Sequence, residues 1–296
     1  MLIILATLAV VAPGFYQAQP LLSLLTREAP SLIVACGMAW VIICRQIDIS
    51  VGSQFGLCSV CAGLLAGMHW PIALVGICAM ALGALLGWVN GFLVAGLRLP
   101  SIVVTLATMV TLREGLRWKR QGEFVTLPDT VQWFGFSQQQ GQVTIIVVSL
   151  LVLIILAVTA RHLSLARDIY AVGSDAEAAR LAGIPALRIT CFVFVLLGAL
   201  TGLAAILNMA QAPQVDPKTG TGLELKAIAA VVVGGVSISG GRGSLWGVFL
   251  GLLLLACISP ALTHLHVEAY WERAIHGGII LIAVAGDRFK QGKENS

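Results

Sequence analysis

Asp48, Asn90, Thr105, Thr108 and Glu224 stand in or beside long apolar runs of this chain, where a polar side chain needs a partner. A carboxylate or amide in such a setting is costly unless it meets water, a solute or a neighbouring helix. Each of these residues has two readings. Asp48, in Ile47-Asp-Ile-Ser-Val-Gly52, could line a pathway or accept the free amides of a helix start at Ser50 to Gly52. Asn90, in Trp88-Val-Asn-Gly91, could bond a solute hydroxyl or a neighbouring helix. Thr105 and Thr108 lie about one helical turn apart and could serve a pathway or their own backbone. Glu224 opens the Gly-rich run Gly220 to Ser244. It could guard an entrance, or pair with Lys226 or a helix end.

Covalent and metal chemistry find less support. Cys58-x-x-Cys61 lacks a second ligand pair and sits in an apolar segment, so it reads as buried free thiols. The other cysteines (Cys36, Cys44, Cys78, Cys191, Cys257) also lie in or beside apolar runs. His264, His266, Glu268 and His276 suggest zinc, but no convincing full ligand set accompanies them, and no metal is expected. Gly240-Gly-Arg-Gly243 is not followed by the Gly-Lys-Ser/Thr of a phosphate loop, and no such motif occurs elsewhere. The chain is therefore not expected to hydrolyse ATP itself. An intramembrane enzyme would need paired carboxylates or a nucleophile and base at one depth, and no spacing here forces that.

The elements that position these residues are membrane helices. The chain is 58% hydrophobic and 11% charged, against about 25% charged in an average soluble domain. Its mean hydropathy is +0.94. Apolar stretches of membrane-spanning length recur, and no polar interval is long enough for a separate soluble fold. The expectation is an all-α, polytopic transmembrane bundle over residues 1–296, with about ten membrane segments. They are placed at about 2–15, 31–44, 51–67, 71–95, 101–118, 142–160, 189–210, 223–240, 244–263 and 273–287. Residues 14–30 read as a loop with some helical character, and 119–141 as a polar, aromatic interface segment. The segments 51–67 and 223–240 are short and Gly-rich, as re-entrant or broken helices are.

Continuous apolar runs without two-residue alternation argue against a transmembrane β-barrel. A net charge of +4 without a basic, aromatic stripe argues against nucleic-acid binding. Met1-Leu-Ile-Ile lacks the basic region of a signal peptide and reads as the start of a first helix, leaving open a missing basic leader. Placing residues 161–188 in the cytoplasm gives a weak excess of Lys and Arg inside, with both termini cytoplasmic. Arg113 to Arg120 works against that bias, while the basic C-terminal tail agrees with it.

The interval 161–188 separates two membrane helices. Ser174 suits an N-cap with Glu177 completing a capping box, and Gly183 and Pro185 suit the end, giving a helix of about eight residues. Its alanines keep it slim enough for a groove on another protein, although an ordinary loop helix has the same spacing.

Gly173-Ser-Asp-Ala-Glu-Ala-Ala-Arg-Leu-Ala-Gly-Ile184 resembles the coupling-helix signature in permease subunits of bacterial ABC importers of the ribose and simple-sugar class. Ile47-Asp-Ile-Ser, the Asn90-Gly91 pair, Pro100 with Thr105 and Thr108, and the Gly220 to Ser244 run match patterns of the same family. The resemblance covers roughly residues 30–288. Two places depart from it, at three residues. Arg45-Gln46 replaces a usual Gly-Gly, which resembles rhamnose-type and autoinducer-2-type permeases more than ribose permeases. Glu114 stands where glycine is common.

The resemblance implies a bacterial inner-membrane permease subunit importing a monosaccharide. A rhamnose-like deoxy sugar is favoured, then autoinducer 2, then ribose. It implies coupling to a cytoplasmic ABC ATPase through Gly173, Asp175, Ala178, Ala179, Arg180 and Gly183. It also implies a periplasmic sugar-binding protein and a second permease subunit, identical or paralogous, in membrane lipid. ATP and Mg²⁺ would be used by the partner ATPase, with no cofactor on this chain. Rival readings are a related branched-chain amino acid permease and an ion-coupled secondary transporter, although no convincing repeat marks the latter.

Overall fold

In a computed structural model, residues 17–264, 271, 274–282 and 285 are described, and the architecture is that of these residues. They form a helical bundle around α1, Ala18–Ile43. From Leu32 to Cys44 nearly every α1 side chain is buried, as expected of a helix that is apolar all round. α8 (Ala186–Met209), α5 (Gln138–His162), α9 (Leu223–Val233) and α10 (Leu245–Ala256) surround it.

α1 begins earlier than the sequence reading places it, because Pro30 does not stop it. A proline in a helix interior leaves the carbonyl four residues back without its amide. Here that carbonyl, on Thr26, accepts a hydrogen bond from Gln211 Nε2 at 3.2 Å. The long-range side chain replaces the lost bond and lets the helix run through the proline. The expected helix at about 2–15 lies outside the described residues.

α3 (Ile72–Gly91) runs into a single π turn, Phe92–Gly96, and packs along α8. Gly83, Gly87 and Gly91 make that approach possible. A Cβ at Gly83 would strike the Gly198 carbonyl, and one at Gly87 the Phe194 carbonyl. The relation is reciprocal: a Cβ at Gly198 would strike the Gly83 carbonyl. Small residues allow such backbone-to-backbone packing where lipid removes the hydrophobic drive for helix association. The outer faces remain apolar and exposed, including Ile77, Leu85 and Trp88 on α3 and Leu151, Ile155 and Val158 on α5. Apolar exposure on this scale suits a lipid-facing surface.

Helices over Ala18–Ile43, Ile72–Gly96, Gln138–His162, Ala186–Met209 and Leu245–Leu262 are long and apolar enough to cross a bilayer. α2 (Val51–Gly67) has 17 residues and α9 has 11. At 1.5 Å per residue these rise only about 25 Å and about 17 Å, short of a hydrocarbon core of about 30 Å. The expected helix 223–240 therefore ends at Val233. Gly235, Gly240 and Gly241 follow with φ of +83°, +83° and +69°, a left-handed backbone that glycine adopts without strain and that ends the helix. The expected helix 244–263 is likewise divided at Cys257, between α10 and α11 (Ile258–His264). Residues 274–282 are helical, within the last predicted segment.

α4, Ser101–Arg120, matches its predicted start. The aromatic segment after it is more ordered than a plain interface loop. Strand β1 (Val125–Thr126) pairs antiparallel with β2 (Gln214–Val215), and a 3₁₀ turn covers Asp129–Gly135. The Val125, Leu127 and Val215 side chains close over Gly63 of α2 and cap that end of the helix.

Candidate coupling surface and buried polar sites

Asp48, Ser50, Gln54, Asn90 and Thr108 form one buried hydrogen-bond network where α1 gives way to α2. Asp48 Oδ1 accepts the Ser50 amide at 2.8 Å and the Ser50 hydroxyl at 2.6 Å. Its Oδ2 accepts Gln54 Nε2 at 3.3 Å and Asn90 Nδ2 at 3.4 Å. Asn90 also donates to Ser50 Oγ at 2.9 Å, and its Oδ1 accepts the Thr108 hydroxyl at 2.8 Å. Thr105 Oγ1 accepts the Ile49 amide at 3.1 Å and donates to the Ser101 carbonyl at 2.8 Å.

Four of the sequence-derived pathway candidates thus meet at one place, and in this conformation they engage one another and the backbone. Asp48 and Asn90 are fully buried. Asp48 accepts the Ser50 amide just ahead of the first helical residue Val51, and Asn90 bonds Asp48 and Ser50 of the neighbouring segment. Ser50 and Gln54 were not singled out from sequence, yet both complete the network. Their spacing of four residues at the start of an apolar run was the available signal.

Glu224 lies elsewhere. It occupies the first turn of α9, buried, with Oε1 3.5 Å from Arg113 Nη2 on α4. Lys226, the partner suggested by sequence, instead pairs with Glu28 of α1, Nζ to Oε2 at 2.6 Å. Residues two apart on a helix face different sides, so Glu224 and Lys226 diverge to different neighbours. The other Glu224 oxygen, Oε2, has no hydrogen-bond partner among the described residues. It lies against Gly52 in the first turn of α2, where any Cβ would collide with it.

The carboxylate therefore sits at the starts of two short helices, and helix N-termini favour negative charge. Arg113 is twelve residues into α4, about 18 Å along it, in the charged C-terminal half of that helix. A cleft of about 220 Å³ borders it, lined by Gly52, Ser53, Arg113, Thr219 and Thr221 among others.

The interval 161–188 folds as two helices, α6 (Ser164–Ser174) and α7 (Ala176–Leu181). The N-cap of α7 is Asp175, one residue beyond the expected Ser174. Asp175 Oδ1 accepts the Glu177 and Ala178 amides at 2.9 and 3.0 Å. Glu177 does not close a capping box. It turns to Arg180, Nε to Oε2 at 3.0 Å, and this neighbour holds its carboxyl below the usual range. Ser174 is tied into α6, where its side chain fills the space beside Gly241.

The C-terminal end follows expectation. Gly183 has φ +83°, its amide reaches the Arg180 carbonyl, and the Ile184 amide reaches the Ala179 carbonyl. That pair of bonds is a Schellman cap.

Of the candidate coupling residues, Asp175, Ala178, Arg180 and Gly183 are exposed, while Ala179 is buried against the bundle. Gly173 is buried too. A Cβ there would collide with the Ile43 carbonyl at the end of α1, and Gly241 donates its amide to the same carbonyl at 2.8 Å. Gly173 thus joins α6 to the bundle. Leu181, unremarked in the sequence reading, is 76% exposed on this short helix. Cys58 and Cys61 are free thiols, Cys58 buried and Cys61 partly so. His266, Glu268 and Tyr270 lie outside the described residues, as does the His264 side chain, while Trp271 is exposed.

The long apolar helices, two short helices meeting at a partly buried ion pair, and a small capped helix between two membrane helices describe a polytopic permease subunit. The chain belongs to the family described as the branched-chain amino acid transport system / permease component, which matches residues 21–284. Among its relatives is the ribose import permease protein RbsC of Escherichia coli (strain K12), 34% identical over 98% of this chain and 92% of the relative. The autoinducer 2 import system permease protein LsrC of Enterobacter sp. (strain 638) is 34% identical over 98% and 85%. The L-arabinose ABC transporter permease protein AraH of Azospirillum brasilense is 31% identical over 100% and 87%. No solved structure matches the chain. The resemblance to simple-sugar ABC importer permeases is thereby borne out.

Proposed function

We propose that this chain is the membrane-spanning subunit of an ABC importer that carries a monosaccharide across the bacterial inner membrane. A second permease subunit, a periplasmic binding protein and a separate cytoplasmic ATPase complete the machine. The observation that supports this reading is α7, a rigidly capped helix that displays Ala178, Leu181 and Ala182 at the surface. Slim residues around one exposed leucine suit a short helix laid into an apolar groove of a partner. Gly173 and Ala179 hold the helix on the bundle, so motion of α7 would be transmitted to α1 through the Ile43 carbonyl. In this reading the chain carries no ATP site, both termini are cytoplasmic, and ATP and Mg²⁺ belong to the ATPase.

Sugars need hydrogen-bonding partners along their path. The cleft beside Arg113 carries the hydroxyls of Ser53, Thr219 and Thr221 together with the cations Arg113, Arg117 and Lys218. Arg45-Gln46 favours a rhamnose-like deoxy sugar. The relatives' names favour ribose, autoinducer 2 or L-arabinose as the second reading.

The test is co-purification from native membranes followed by reconstitution, with uptake of radiolabelled rhamnose, ribose, L-arabinose and autoinducer 2. Co-purification of an ATPase and a sugar-binding protein, with ATP-dependent uptake of one of these, supports the assignment. Uptake driven by an ion gradient without an ATPase would overturn it in favour of a secondary transporter.

A further inference from the structure

Beside α7, on the face away from Leu181, lies a cleft of about 1120 Å³. Ala176, Glu177 and Arg180 of α7 line it, while Ala178, Leu181 and Ala182 do not. The first set lies on one side of the helix and the second on the other, as the 3.6-residue period requires. Its basic residues come from four separate places. Arg45 follows α1, Arg98 follows the π turn after α3, Arg180 lies on α7 and Arg188 starts α8. Glu177 is the one acidic residue in the lining, and it is taken by Arg180. Arg45, Arg98 and Arg188 have no ion-pair partner among the described residues. Arginines without an ion-pair partner around one cleft favour an anion there. Their planar forks match phosphate oxygens two at a time.

The walls show which kind of anion fits. Val94, Leu99 and Leu187 line the same cleft, and Leu99 and Leu187 are 44% and 55% exposed. The cleft thus lies where α3 gives way to the π turn and α8 begins, and the nearby chain also carries the exposed Phe92 and Leu97. A free phosphate would use only the basic part. A phospholipid would use both, its phosphodiester on the arginines and its acyl chains against the leucines. Basic pockets between helix ends on the cytoplasmic side suit anionic headgroups for this reason.

We propose that the cleft bordered by Arg45, Arg98 and Arg188 binds the headgroup of an anionic phospholipid, as a site separate from the ATPase-facing surface of α7. The cytoplasmic placement rests on the function proposed above. The headgroup would bridge the ends of α1, α3 and α8, which already meet at this level through Cys44 with Thr190 and Gly91 with Cys191.

Native mass spectrometry of the full chain in detergent, titrated with phosphatidylglycerol or phosphatidylcholine, tests this. The wild type is expected to retain phosphatidylglycerol at least five-fold better than phosphatidylcholine. The triple variant Arg45→Gln, Arg98→Gln, Arg188→Gln is expected to lose that preference. A charge-matched control far from the cleft (Arg117→Gln, Lys119→Gln, Lys218→Gln) is expected to keep it, which separates a local site from general charge attraction. Should the cleft triple variant not fold, the three single substitutions, each expected to lower the preference at least two-fold, carry the same comparison.

Equal phosphatidylglycerol preference in the cleft variants and wild type would overturn the proposal. So would displacement of the lipid by millimolar inorganic phosphate, which would mark a free-phosphate site. Loss of ATPase co-purification in the triple variant with lipid binding unchanged would make the cleft a protein interface instead. Arginine-dependent lipid binding in a chain that recovers no ATPase would leave the lipid site standing and overturn only the coupling assignment.

Discussion

Glu224 reaches Arg113 across 111 positions of sequence, with 3.5 Å between Oε1 and Nη2, and its second oxygen rests against the backbone of Gly52. One carboxylate thereby ties α4 to the starts of α2 and α9. Its negative charge lies at the N-terminal ends of both short helices, where the helix dipoles favour it. Arg113 is 29% exposed, so screening weakens the pair, and removal of either partner is expected to cost about 1–3 kcal/mol. Glu224→Gln and Arg113→Gln should each lower the thermal stability of the detergent-solubilised chain. The double variant should lose less than the sum, since neither charge is then left alone. Strict additivity in that cycle would show that the two charges do not interact.

Gly52→Ala tests the same junction from the other side. The methyl would collide with Glu224 Oε2 and with the Gly220 carbonyl. Because the second collision is with backbone, the start of α9 must shift and not merely one side chain. Transport is expected to fall at least ten-fold while membrane insertion is kept. Normal uptake by Gly52→Ala would mean that the α2–α9 contact is not held in the working transporter.

Asp48→Ala and Asp48→Asn separate the charge from the hydrogen bonds. Alanine removes both acceptors and leaves the Ser50, Gln54 and Asn90 donors short of partners within a buried site. Each orphaned donor costs about 1–3 kcal/mol. Asparagine keeps one oxygen in place, so Asp48→Asn should be the milder change in a thermal unfolding series. Equal melting temperatures for Asp48→Ala and wild type would contradict a structural role for the network.

Much of this organisation was legible in the sequence, and the misses have identifiable causes. Apolar runs marked the long helices because lipid-facing residues must be apolar throughout. Gly183 marked the end of α7, since local glycine chemistry needs no tertiary information. Asp48, Asn90, Thr105 and Thr108 were recognised as polar groups in need of partners, but only the fold could pair Asn90 with Ser50 of another helix. Ser174 lost the cap to Asp175 because packing against Gly241 draws Ser174 into α6. The start of α1 was missed because the rescue of the Thr26 carbonyl comes from Gln211, 185 residues away. Of the readings offered for Glu224, the Lys226 pair fails because helix geometry sends Lys226 to Glu28, while a neighbouring helix start does lie beside it.

The α3–α8 contact predicts a graded response to side-chain size. Gly83 and Gly198 touch through their backbones, so a methyl at either site meets a carbonyl that cannot rotate away. Gly83→Ala and Gly198→Ala are each expected to destabilise by about 1–3 kcal/mol through overpacking, and Gly83→Leu should prevent stable folding. Gly76 on the same helix has open space around its Cβ position, and Gly76→Ala should be neutral or slightly stabilising. Parallel melting curves of the alanine variants decide the matter. Indistinguishable curves for Gly83→Ala and Gly76→Ala would remove the close backbone crossing from the account of this fold.

Asp175 and Leu181 separate the folding of α7 from its docking. Asp175→Ala removes the side chain that accepts the Glu177 and Ala178 amides, a loss of about 1 kcal/mol of local helix stability. Leu181→Glu leaves the cap, the Glu177–Arg180 pair and the Gly183 turn in place, and changes only an exposed side chain. Glu177 has a carboxyl pKa below its ordinary value of 4.5, held there first by its hydrogen bond to Arg180. The stability this pair contributes is therefore fully present above the ordinary value and is lost as pH falls through the depressed one, so assays near neutrality leave it intact. In reconstituted vesicles, Leu181→Glu should abolish stimulation of ATP hydrolysis by loaded binding protein, with normal insertion and unchanged melting of the isolated chain. Asp175→Ala should give an intermediate loss of coupling, because the helix still forms part of the time. Full coupling by Leu181→Glu would show that the exposed face of α7 is not where the ATPase engages.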